Sequence, residues 1–116
     1  MSNALEIIKA IQAGTYTEGP ATQRITASDK LAYAAKRLCR PESLDWLAAQ
    51  VEANKLGIQQ ARAVALMAYV GEARRDGEYG ASCDGSDRDV VNAFASLQKK
   101  GLVEYWGAYD RYVWMG

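Results

Sequence analysis

Apolar positions recur at helical spacing through residues 1–101, and the last fifteen residues change period. Leu5, Ile8 and Ile11 mark a short helix over Ala4–Ala13, and Gly14 stops it. Residues 15–26 hold four Thr, a Gly, a Pro and few apolar side chains, which predicts a flexible loop. Ser28 is placed to cap a second helix, with Asp29 in its first turn. Its stripe is Leu31, Ala34, Ala35 and Leu38; Lys36, Arg37 and Arg40 crowd its end, and Pro41 stops it. A third helix is capped by Ser43 and runs to Asn54, burying Leu44, Leu47, Ala48 and Val51 and ending at Gly57. The fourth, Ile58–Arg75, is apolar on every side between Ala63 and Gly71, as expected of a central helix. Three glycines between Gly77 and Gly85 predict a loop. Ser86 and Asp89 have capping-box spacing at the start of a fifth helix, whose Val90, Phe94 and Leu97 face inward and which Gly101 ends.

Beyond Gly101, Leu102–Trp106 and Arg111–Met115 are rich in β-branched and aromatic residues, and four residues separate them, the pattern of a β-hairpin. An isolated hairpin is marginal in water, so one of its faces must pack on the helices. The expected architecture is mainly α: about five helices plus a C-terminal two-stranded β-hairpin. Residues 1–116 make one domain, in which 1–26 are an N-terminal helix and flexible loop. Leu66, Phe94 and Leu97 are its expected core.

Composition narrows the chemistry more than the fold. Hydrophobic residues are 49% and charged residues 24% of 116, ordinary for a globular chain. Fourteen basic and fourteen acidic residues cancel, so no global field draws the chain to nucleic acid or anionic lipid. There is no histidine, which removes the commonest general base and metal ligand. Cys39 and Cys83 fall short of a structural zinc set and read as free thiols of a cytoplasmic protein. Cys83 has no histidine to activate it, and Asp84, Asp87 and Asp89 miss the spacing of a calcium loop. The expectation is a non-enzymatic protein without metal or cofactor. The first thirteen residues lack a secretory pattern, and no apolar run approaches membrane-spanning length.

The segment Leu97-Gln98-Lys99-Lys100-Gly101-Leu102-Val103, followed at once by a hairpin, resembles the winged-helix DNA-binding fold. In that family a recognition helix passes through a Leu-x-x-x-Gly-Leu-Val step into a two-stranded wing. The resemblance covers residues 58–116, and many such domains bind protein instead of DNA. The family also has a helix immediately before the recognition helix; Arg75–Ser86 offers only a Gly-rich stretch, so the helix-turn-helix is incomplete.

Two functions follow. As a small regulatory protein binding double-stranded DNA, the chain would present Arg88, Asn92, Ser96, Lys99 and Lys100 on the fifth helix and Arg111 on the wing. Arg suits guanine, Asn suits adenine, and the lysines suit phosphates. Against this, residues 77–89 carry four acids and one base, which repel a phosphate backbone. As an adaptor or inhibitor docking on a larger protein, it would use the stripe Lys30, Tyr33, Arg37 and Arg40, or the hairpin aromatics Trp106 and Trp114. Residues 1–40 carry six basic and three acidic groups, a local excess that suits phosphates or an acidic partner and is compatible with both functions. Absence of a helix between Arg75 and Ser86 favours this second function. The oligomeric state is open, a dimer included.

Overall fold

The computed structural model describes residues 3–16, 26–73, 80–82, 88–106 and 111–115. Five helices, α1 (Ala4–Ala13), α2 (Ala27–Lys36), α3 (Pro41–Asn54), α4 (Ile58–Ala73) and α5 (Arg88–Lys99), are joined by strands β1 (Gly80–Ser82), β2 (Val103–Trp106) and β3 (Arg111–Trp114). The mainly α architecture with a C-terminal antiparallel hairpin is as expected.

Helix α4 is central. It packs on α2, α3, α5 and β1, while α1 lies on α2 and α3. Its Ala61, Ala63, Val64, Ala65, Met67 and Ala68 are fully buried, which is why its sequence is apolar all round. One hydrophobic cluster runs through all five helices and reaches Val103 of β2. Phe94 and Leu97 are buried in it as expected. Leu66 is not: it is half-buried, because it forms part of the wall of a surface groove beside the short side chain of Ala34.

Several helix ends differ from the sequence reading. Thr26, not Ser28, caps α2, in a reciprocal capping box with Asp29. The Tyr16 hydroxyl donates to the same carboxylate at 2.8 Å, tying the chain beyond α1 to the start of α2. Helix α2 stops at Lys36, so Arg40 is off its face altogether; Arg40 is the N-cap of α3, with Pro41 at the first helical position and Ser43 buried inside the helix. Lys55, in the left-handed region at φ 51°, ends α3 in place of Gly57. Gly14 and Gly101 end α1 and α5 as predicted, at φ 72° and 77°. At Gly101 the turn is a Schellman motif: Leu102 N–H donates to the Leu97 carbonyl and Gly101 N–H to that of Gln98. Ser86, and with it the capping box at α5, lies outside the described residues, as does Cys83.

The hairpin strands pair with Val103 opposite Trp114 and Trp106 opposite Arg111. A third strand corrects the reading of Gly77–Gly85 as loop alone: β1 pairs antiparallel with β3, giving the order β1-β3-β2. The strand is three residues long and opens on Gly80, too short for a period to show. No helix among the described residues is long and apolar enough to cross a membrane.

Candidate docking surface

Helices α2 and α4 lie side by side, and their facing side chains leave a groove of about 290 Å³ between them. Lys30, Tyr33, Ala34 and Arg37 line it from α2; Arg62 and Leu66 line it from α4. The α2 residues recur every three or four positions, which places them on one face. Arg62 and Leu66 share a face of α4 by the same rule. The groove therefore has an apolar wall, Ala34 and Leu66, with three cationic side chains and no carboxylate among the described residues that line it.

Each cation is held differently. Arg62 is only 8% exposed, and its Nη1 donates to Gln59 Oε1 one turn back. Arg37, the C-cap of α2, sets its guanidinium 4.2 Å above the ring centroid of Tyr69 on α4. Lys30 stands exposed one turn into α2. Among the described residues, neither Lys30 nor Arg37 has an ion-pair partner. Tyr33 and Tyr69 are exposed at 40% and 38%, so the rim is aromatic as well as cationic.

Three of the four stripe residues thus converge, and Arg40 does not join them. It lines a separate depression of about 280 Å³ near Cys39 and Leu44, which the Gln12–Asp45 hydrogen bond of 2.8 Å spans at one end. Arg62 and Leu66 were missed as groove residues. The available signal was an arginine at the edge of the apolar stretch of α4.

On α5, Arg88, Asn92 and Lys99 form an exposed row, and Lys100 follows it. Ser96 faces the other way: its hydroxyl donates to the Ala93 carbonyl at 2.8 Å and accepts from Gln60 Nε2 of α4 at 2.9 Å. Gln60 Oε1 in turn accepts from the Gly57 N–H at 3.1 Å and from Lys100 Nζ at 3.4 Å. This polar node fixes the end of α5 to the start of α4 and occupies Ser96 internally. Arg111 pairs with Trp106 in the sheet, and its side chain lies outside the described residues.

Most of the described hairpin aromatics serve packing. Tyr112 stacks on Phe94 of α5, with 4.6 Å between centroids and 3° between planes, and Tyr105 leans on Tyr112 at 5.0 Å. Trp114 meets Trp46 of α3 edge to face at 5.4 Å and is half-buried, so it is a packing residue and not an exposed anchor. Trp106 is exposed at 37%. Among the described residues no cluster of three metal-ligating side chains occurs. Compared with known proteins, the chain matches no family model, no curated protein and no solved structure.

Proposed function

We propose that this chain is a small non-enzymatic interaction module of the cytoplasm that docks on a larger protein through the α2–α4 groove. One observation carries the reading: Lys30, Arg37 and Arg62 converge with exposed Tyr33 around an apolar wall. Arginine and tyrosine on a concave surface are the residue types that dominate protein interfaces. A neutral chain suits such a role better than it suits a phosphate backbone. The interval between Arg75 and Ser86, where a helix would bear on the choice, lies largely outside the described residues.

A second reading, DNA binding by a winged-helix-like residues 58–116, is favoured by the exposed row Arg88, Asn92 and Lys99 ahead of the hairpin. A pull-down from cell lysate, with and without nuclease, separates the two. The docking reading expects a nuclease-resistant protein partner that the double variant Lys30→Glu, Arg37→Glu no longer captures. Recovery that nuclease abolishes, with a duplex shifted at physiological salt, contradicts it. Replacing Cys39 and Cys83 by Ser should leave capture unchanged, since no histidine is present to activate either thiol.

A further inference from the structure

The chemistry of the groove identifies the kind of partner; this inference rests on the docking reading above. We infer that the groove takes an acidic segment of the partner protein, with carboxylates on Lys30 and Arg37 and an apolar side chain between them on Ala34 and Leu66.

The charge of the lining sets the sign. Among the described residues three cations and no carboxylate line the groove, and the two on the rim have no ion-pair partner there. Arg62 also lines the groove but is buried and held by Gln59, so the charge offered to an occupant is that of Lys30 and Arg37. Charge complementarity therefore calls for an anionic occupant.

The shape of the lining selects which anion. Sites built for free phosphate commonly recruit backbone N–H groups at a helix N-terminus or in a nest. Here Lys30, Arg37 and Arg62 offer side chains alone, none of them at a helix N-terminus. Ala34 and Leu66 supply an apolar surface that a bare inorganic anion would leave uncovered. A nucleic-acid backbone needs cations in a long row, and among the described residues the row does not continue. Lys36 sits 5.6 Å over the Tyr16 ring, and Arg40 lines the other depression. A volume of about 290 Å³ holds one or two side chains, not a folded element. Arg37 is already oriented by Tyr69, so less side-chain freedom is lost when its planar fork meets a carboxylate.

The test uses the full-length chain and a fluorescently labelled hexapeptide in which glutamates flank two leucines, read by anisotropy. A counterpart with glutamine for glutamate and inorganic phosphate alone serve as comparisons. The acidic peptide should bind in a salt-sensitive manner, and the glutamine peptide should bind at least about tenfold more weakly. Arg37→Gln and Lys30→Gln should each weaken binding several-fold. Both positions are exposed, so folding is retained. Lys99→Gln on α5 should leave it within about twofold. Equal binding of the two peptides, indifference to Arg37→Gln, or binding of phosphate without binding of the acidic peptide overturns the inference. If the acidic peptide fails while groove variants still abolish partner capture, the acidic chemistry is wrong and the docking reading stands. If groove variants leave capture intact, both fall.

Discussion

Phe94 carries the join between the helices and the sheet. Its ring is buried on α5 and lies parallel to Tyr112 of β3. Phe94→Ala should therefore cost about 3–5 kcal/mol, the range for deleting a core aromatic; an unchanged chemical-denaturation midpoint would refute that placement. A second residue-scale prediction concerns acid. The Tyr16 hydroxyl holds the Asp29 carboxyl below its ordinary value of 3.8, and the Thr26 N–H and hydroxyl add to the effect. A carboxylate with a depressed pKa in the folded state stabilises fully above its unfolded value. That contribution is lost as pH falls through the folded value. Thermal melts should thus show a loss of stability below about pH 3.8 that Tyr16→Phe makes shallower. Identical acid slopes for the two proteins would contradict the Tyr16–Asp29 bond. Burial at this scale was legible where a residue lay in a strong period, as Phe94 and Leu97 do. It was not legible at Leu66, whose exposure depends on Ala34 across the groove, a fact about a neighbouring helix.

Elements were easier to find than their ends. All five helices follow from apolar spacing, and the hairpin follows from its change of period. The caps depended on which of several adjacent polar residues the backbone used. Thr26 won over Ser28 because Asp29 stands three residues on, at the capping-box position. Arg40 looked like part of the α2 stripe, but Leu38 and Cys39 lie outside the helix, so the helical period does not reach it. Strand β1 was missed because pairing with β3 defines it, not any alternation of its own. Two substitutions test the C-terminal turns together. Gly101 has φ 77° with nothing within 4 Å of an added Cβ, so Gly101→Ala should cost about 1 kcal/mol from the backbone alone. Lys55 is held at φ 51°, and Lys55→Gly should stabilise by several tenths of a kcal/mol or more. Opposite shifts in melting temperature are expected; shifts of the same sign would show that one of these turns is assigned wrongly.

Across the whole molecule, a net charge of zero hides an uneven distribution. Residues 1–40 carry an excess of base and residues 77–89 an excess of acid. Helix α2 brings part of that basic excess to α4, where Arg62 joins it. The sequence showed Lys30, Tyr33 and Arg37 as a stripe, but a stripe alone is an ordinary solvated face. The groove exists only because α4 packs beside it, and nothing in the sequence of α2 specifies that neighbour. The row on α5 is the rival surface, and its own packing weakens it: Ser96 is bonded to Gln60 and Lys100 leans toward the same side chain. The most direct measurement sets the two surfaces against each other in nuclease-treated pull-downs, using Lys30→Glu, Arg37→Glu in one arm and Lys99→Glu, Lys100→Glu in the other. The docking account predicts that the first pair loses the captured protein while the second keeps it. Retention by the first pair with loss by the second would contradict it.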